Sequence, residues 1–138
     1  MADIEHALRN RIRSTSDVTD IVGTRVFPIY VPKGQSLPAV VYELVSSDPI
    51  GSNDGHSGLT YARFTVEGLS SSYSQVKDLA EKVRLAVDGY SGTEASVAIS
   101  STRHMGSSDD WTAPANAGEK GTHHVVLDFR LGYTSATS

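Results

Sequence analysis

The sequence predicts an α+β fold in which an antiparallel-dominated β-sheet carries two main helices packed on one face. Two observations lead to this prediction. Apolar residues recur at helical spacing near the N-terminus and again in the middle of the chain, and they alternate with polar residues in several other segments. The predicted order is helix, strand, strand, strand, helix, strand, strand, which is typical of helices that are segregated to one side of a sheet.

Composition limits the classes of protein that fit. The chain has 138 residues and a formal net charge of −4, which predicts one domain over residues 1–133 and a flexible tail over 134–138. It contains no cysteine, so disulfide and thiolate chemistry are excluded. No apolar run approaches the roughly 20 residues that span a membrane. The acidic balance disfavours a protein that grips nucleic-acid phosphates, although Arg9, Arg11 and Arg13 form a short basic cluster in the first helix.

Two helices have the clearest periodicity. The second covers residues 72–88, where Ser72 and Gln75 have the spacing of a capping box. A short helical turn over residues 18–22 lies between the first helix and the strands. The first helix buries a stripe that consists of Ile4, Ala7, Leu8 and Ile12.

Three strands are predicted between the helices, over residues 25–30, 37–45 and 59–68, from β-branched and aromatic residues and alternating polarity. Pro28 indicates that the first is an edge strand, because proline donates no ladder hydrogen bond. The segment 46–58 is rich in Ser, Gly and Asp and is predicted to be a loop.

Two further strands are predicted after the second helix, over residues 96–102 and 123–133, with a second polar loop over 103–122. The core is expected to combine the central helix with the central and last strands. Its predicted members are Phe64, Val66, Leu79, Val83, Leu127 and Phe129.

Catalytic motifs are absent from the sequence, which has no phosphate-binding loop, nucleophile elbow or H-E-x-x-H zinc motif. An enzymatic alternative joins His56, His104 and Asp109 through tertiary folding, but their spacing does not favour it. The adjacent Asp109 and Asp110 are interpreted as a solvated pair rather than half of an acid/base or metal site. The sequence therefore predicts no catalytic residue, no metal and no cofactor.

The two long polar loops give the strongest functional indication. Loops longer than roughly 12 residues are usually functional or disordered, and these two have few apolar residues to offset the entropy of ordering. We expect an assembly subunit whose loops are mobile when free and become ordered against neighbours. Trp111, the sole tryptophan, either folds back onto the core or anchors a partner.

Several segments, in this order, match the pattern of a known family. They are D-I-V-G-T-R-V-F-P at 20–28, L-P-A-V-V-Y at 37–42, R-F-T-V-E at 63–67, Y-S-Q-V-K-D-L-A-E-K-V-R at 73–84 and V-L-D-F-R-L-G-Y at 126–133. With this layout the chain resembles the phage tail completion family, also called tail terminators or tail-to-head joining proteins, over nearly its whole length.

The resemblance implies a subunit of a hexameric ring that binds the last layer of tail tube protein, stops its polymerisation and faces a head connector or stopper protein. It implies a location in the virion, at the head-proximal end of the tail, after assembly in the host cytoplasm. DNA would pass through the ring without specific binding, in keeping with the acidic charge. The candidate assembly-interface residues are Pro28, Asp48, Ile50, Asn53, Asp54, His56, Arg103, His104, Asp109, Asp110 and Trp111.

Two other classes stay open. One is another small virion subunit, such as a tail tube or head completion protein. A tube subunit would polymerise without limit, whereas a terminator would stop at a closed ring. The other is a small enzyme that uses His56, His104 or Asp109, which would require a pocket and a perturbed titration.

Overall fold

The computed structural model describes residues 3–52 and 55–135. Within these residues the chain forms three helices and six strands. The elements, in chain order, are α1 (Asp3–Arg13), α2 (Ser16–Val22), β1 (Val26–Pro28), β2 (Ala39–Ser52), β3 (Gly55–Ser70), α3 (Tyr73–Val87), β4 (Gly92–Glu94), β5 (Val97–Thr112) and β6 (Thr122–Ser135).

The helices form where the periodicity predicts them. All four residues of the α1 stripe are buried. Ser72 caps α3, since its Oγ accepts a hydrogen bond from the backbone N–H of Gln75 at 3.3 Å. The Gln75 side chain does not complete the capping box, because its Oε1 instead accepts a hydrogen bond from Ser70 Oγ at 2.6 Å. None of the described helices has the length and apolarity to cross a membrane.

The predicted fold class is wrong in two respects, and the first concerns the sheet. Its strand order is β1-β2-β3-β6-β5-β4, and it is mixed, because β1 runs parallel to β2 while the other neighbours are antiparallel. The short β1 spans only about 10 Å. The connection over residues 29–38 therefore suffices to carry the chain back to run beside it. Pro28 does lie on an edge strand, as predicted.

The second correction concerns the helices, because the described residues form three helices on a strongly curled sheet and do not show two main helices packed on one face. The helix α3 contacts β3, β5 and β6, and α1 contacts both edge strands, β1 and β4, as well as β5, β6, α2 and α3. The edge strands are at opposite ends of the strand order, so the sheet must curl strongly, as a half-barrel, to bring both to α1. Strand twist accumulates across six strands, and an apolar stripe in a sequence does not reveal which surface covers it.

The core confirms the predicted members. Phe64, Val66, Leu79, Val83, Leu127 and Phe129 are all buried. The close approach of α3 to β3 depends on a glycine in the strand. A Cβ at Gly68 would lie 3.3 Å from a methyl carbon of Leu79, so a larger residue would require the Leu79 side chain to shift by a few tenths of an ångström.

Both segments predicted as loops are mostly strand. In 46–58, β2 continues to Ser52 and β3 begins at Gly55; in 103–122, β5 continues to Thr112. No residue of β5 beyond Thr102 is buried, so no run of buried positions marks this part of the sequence as a strand, although its backbone continues the ladder with β6. The loop prediction for 46–58 is therefore wrong in its described residues, and the prediction for 103–122 is correct only for the connection over 113–121.

Candidate assembly interface

An ion pair connects the distal half of β5 to the N-terminal half of α3. The carboxylate of Asp109 accepts hydrogen bonds from Lys77 Nζ at 2.9 and 3.1 Å. The hydrogen bond to Asp109 raises the pKa of Lys77. Both side chains are almost half exposed, at 44% and 48%, so the pair is weak and screened by salt. Its effect is to orient the strand end relative to the helix.

Three rings form an exposed aromatic cluster at the same end of the sheet, made of Tyr73, Trp111 and His123. Trp111 is 52% exposed and Tyr73 is 57% exposed. His123 lies opposite Trp111 in β6, with its ring centre 6.5 Å from that of Trp111 and 5.6 Å from that of Tyr73. These separations are typical of interacting rings. The cluster has the composition of a binding hot spot, in which large aromatic side chains dominate.

The indole of Trp111 lies against Gly121. A Cβ at Gly121 would be 2.5 Å from three indole atoms, so this ring position requires glycine. The ring therefore rests on its own hairpin while half of its surface stays exposed. Of the two interpretations of Trp111, this geometry favours the partner anchor over folding back onto the core.

Asp110 makes a local contact, since its Oδ1 accepts a hydrogen bond from the backbone N–H of Trp111 at 2.8 Å. On its face of the sheet lies a network that the sequence analysis missed. His124 contacts Glu67 through Nδ1 at 2.5 Å and Thr112 Oγ1 through Nε2 at 2.9 Å. A hydroxyl, a histidine and a carboxylate in this order also form the catalytic triad of many hydrolases. Catalysis by such a triad also needs oxyanion donors in a site that excludes water. Thr112 lies exposed on a hairpin strand, and we interpret the network as a cross-strand link.

Arg103 and His104 lie on opposite faces of β5. Arg103 is opposite Arg130, which is opposite Arg63, so three exposed arginines cross β5, β6 and β3 in one row. Like charges in this position repel one another. The His104 ring lies 5.4 Å from the ring of Phe129, and its Nε2 is buried without a hydrogen-bond partner among the described residues. His104 is therefore mainly a packing residue.

The candidates from the other predicted loop lie at the opposite end of the sheet. Pairing of β3 with β6 begins at Thr60, opposite Tyr133. The part of the β2–β3 hairpin beyond Pro49 and Thr60, which precedes this described register, is called here the β2–β3 arm. Asp48 borders this arm and Ile50 lies on it, and both are exposed.

Three candidates on the arm have little or no described structure. The backbone of His56 pairs with Gly51. Asn53 and Asp54 lie outside the described residues.

Pro28 is exposed at the end of β1, and two apolar neighbours that the sequence analysis did not nominate follow it. Ile29 and Tyr30 are each 66% exposed. Their apolar character was visible in the sequence, but it was assigned to a half-buried strand. The structure ends that strand at Pro28 and leaves both side chains outside the core.

The enzymatic alternative receives no support from the geometry. His104 is opposite Phe129 and Asp109 is opposite Val125. The two positions are four residues apart along β6, about 13 Å. His56 belongs to the β2–β3 arm at the other end. Within 3–52 and 55–135, no group of three or more His, Asp or Glu side chains could hold a metal ion.

Comparison with known proteins agrees with the resemblance found in the sequence. The family model described as "Tail completion protein gp17" matches residues 6–134. No curated protein matches the chain. A solved chain from the virion of a native gene transfer agent particle aligns with a TM-score of 0.67 over 94% of this chain and 92% of that chain. At 16% identity this likeness is one of fold.

The family match covers nearly the whole chain and confirms the resemblance. It supports a structural role in a virion tail rather than a catalytic one. The chain belongs to the tail completion protein gp17 family.

Proposed function

We propose that the protein closes the end of a phage tail tube as a hexameric ring, which stops tube polymerisation and provides the joint to a head connector or stopper protein. Under this proposal it lies at the head-proximal end of the tail and is assembled in the host cytoplasm. Family membership supports the tail location. The hexameric ring, its two partners and its head-proximal position are proposed here.

One structural observation carries the proposal beyond the family. The β2–β3 arm leaves the sheet at the end where Thr60 pairs with Tyr133, and the aromatic cluster lies at the end where Ser70 pairs with His123. The subunit therefore has an exposed aromatic cluster at one end of its sheet and a polar hairpin arm at the other. A protein that joins a tube to a connector requires two such surfaces, and the assembly experiment below distinguishes it from a tube subunit, whose head-to-tail stacking also uses two different ends.

Lateral contacts in the proposed ring would use the sheet edges. β1 and β4 each have one strand neighbour, and edge strands offer unpaired backbone groups to another chain. Pro28 limits the length of such a ladder because it has no N–H, and Ile29 and Tyr30 add exposed apolar area beside it. A heterologous contact closes a ring only when its rotation divides a full turn. Rigid strands and helices suit that requirement better than loops do.

The decisive experiment adds the purified protein to its cognate tube subunits during assembly. We expect capped tubes of uniform length in electron micrographs. The variant Trp111→Ala should lose capping, since truncating an interface aromatic commonly costs at least about 2 kcal/mol. The matched control is Leu85→Ala, which removes another exposed apolar side chain and should cap normally. Overlong tubes without the protein at their ends would contradict the proposal, and filaments of the protein alone would identify a tube subunit.

A further inference from the structure

The basic cluster of α1 divides into residues that stabilise the fold and residues that do not. Arg11 Nε donates a hydrogen bond to the carbonyl of Ala86 at 2.8 Å, and its guanidinium lies 4.1 Å from the ring centre of Tyr90. His6, Arg9 and Arg13 are spaced three and four residues apart and share another face of the helix. Among the described residues, none of these three takes part in an ion pair.

These three basic side chains line a groove. His6, Arg9, Arg13 and Ala95 help to form a cavity of about 320 Å³. A second cavity of about 300 Å³ shares His6 and Arg9 and extends to β1. Ala95 follows β4 directly, so the groove runs along α1 between the two edges of the curled sheet.

Arg9 has an unsatisfied donor in this groove. Its Nε is buried and has no hydrogen-bond partner within the described part of the chain, whereas buried polar groups in native proteins are nearly always paired. Tyr42 lies in the same surroundings. Burial raises its pKa, while the charges of Arg9 and Arg13 lower it and that of Glu5 raises it. The partner that suits this groove is an anionic hydrogen-bond acceptor.

The surrounding charges favour a short acidic peptide over nucleic acid. Glu5 lines the second cavity, and Glu94 is held near the first by Asn10 Nδ2, which donates a hydrogen bond to Glu94 Oε1 at 2.5 Å. A continuous phosphate backbone would meet both carboxylates and a net charge of −4, and like charges repel. A peptide can place single carboxylates against the planar guanidinium forks of Arg9 and Arg13. Its backbone can also follow an open sheet edge.

We propose that this groove binds an acidic segment of a partner protein, with Arg9 and Arg13 holding its carboxylates. The inference rests on the proposed function for the nature of the partner, a neighbouring virion protein. The binding chemistry itself requires only the groove.

Fluorescence anisotropy of a labelled peptide whose two glutamates are separated by serine, Gly-Glu-Ser-Glu-Gly, with the full-length protein tests the inference. We expect binding that weakens as salt is added and that falls by at least about tenfold in the double variant Arg9→Gln, Arg13→Gln. The matched control is Arg103→Gln, which removes an exposed arginine from β5 and should bind as the wild type does. The double variant Arg9→Lys, Arg13→Lys keeps the positive charges but lacks the planar guanidinium groups. We expect a smaller loss of peptide affinity in this variant than in Arg9→Gln, Arg13→Gln. Thermal melts of each variant establish that it is folded.

Several results would overturn the inference. They are no binding by the wild type at low salt, undiminished binding by the folded Arg9→Gln, Arg13→Gln variant, or an equal loss in Arg103→Gln. Tighter binding of a double-stranded DNA oligonucleotide through the same arginines would replace the peptide with nucleic acid. A protein that caps tubes but does not bind the peptide contradicts only this inference. A protein that binds the peptide but does not cap tubes contradicts only the proposed function.

Discussion

The distal halves of the two long hairpins are alike in composition and differ in structural support. Both are rich in Ser, Gly and Asp. At the β5–β6 end, β6 remains paired with β3 as far as Ser70, and α3 reaches Asp109 through Lys77. In the β2–β3 arm, the described register pairs Gly55 and His56 of β3 with β2, and the described register of β3 with β6 begins only at Thr60.

This difference shows that composition does not decide how a segment is held. A two-stranded hairpin is marginally stable in water, whereas a third strand or a packed helix makes it stable. We therefore expect the β5–β6 end to be a preformed surface. The β2–β3 arm is the part that would gain most order from a neighbouring subunit.

The largest effect is expected from a core substitution in α3, the helix that supports the β5–β6 end. Leu79 is 0% exposed and packs on β3 at Gly68. Leu79→Ala should lower the free energy of unfolding by about 2–5 kcal/mol, measured by urea denaturation, because it leaves a cavity between helix and sheet.

Leu85→Ala is the matched control for this measurement. Leu85 lies on the same helix and is 60% exposed, so its truncation should change the free energy of unfolding by no more than about 0.5 kcal/mol. Similar values for the two variants would mean that α3 does not pack on the sheet as described.

A smaller effect is expected where the aromatic cluster meets its hairpin. In Gly121→Ala the new methyl group would overlap the indole of Trp111, and the ring must move outward. We expect its fluorescence emission to shift to longer wavelength and iodide quenching to increase. Ala117→Ser, at an exposed position in the same connection, should leave both unchanged. An unchanged emission in Gly121→Ala would contradict the close contact between the indole of Trp111 and Gly121.

The sequence predicts secondary structure correctly where buried residues recur at a regular spacing, and it fails where they do not. The apolar stripes of α1 and α3 and the alternation in β3 and β6 identified the helices, the central strands and the core correctly. The distal parts of β2 and β5 were read as loops because their exposed side chains follow no pattern. The parallel pairing of β1 and the curl that brings both edges to α1 depend on tertiary geometry that local patterns do not contain.

The candidate interface was predictable to a similar degree. Trp111 and Asp109 were nominated because they lie in a long polar segment, and the structure brings them together with Tyr73 and Lys77 at one end of the sheet. Neither α3 residue was predicted as part of the interface, since Lys77 has the spacing of a solvated helix position and nothing in the sequence places Tyr73 near Trp111. The division of the basic cluster between Arg11 and its neighbours likewise depends on contacts with distant residues such as Tyr90.

Hydrogen exchange compares the two hairpins directly. Backbone amides of β5 over residues 107–111 should exchange at least about tenfold more slowly than those of the β2–β3 arm, because local stability follows supporting contacts. The measurement should be made on the free subunit. Equal protection at the two ends would remove the distinction between a preformed surface and an arm that awaits a partner.

The smallest effect is expected from removing the Lys77–Asp109 ion pair, which is one of the contacts that support the β5–β6 end. Asp109→Asn should speed exchange at the end of β5 and leave global stability nearly unchanged, since exposed pairs contribute little and are screened by salt. The pKa of Lys77 is raised above 10.5 in the folded chain, chiefly by the hydrogen bond to Asp109. Its contribution is therefore fully present below the ordinary lysine pKa and is lost as the pH rises through the folded value.

Asp110→Asn is the matched control for the ion pair, because Asp110 contacts only the adjacent backbone N–H in the described structure and an asparagine oxygen can accept the same hydrogen bond. This variant should exchange at the wild-type rate. If Asp109→Asn and Asp110→Asn behave alike at low salt, the ion pair does not distinguish the two hairpins. The third strand alone would then account for the order of the β5–β6 end.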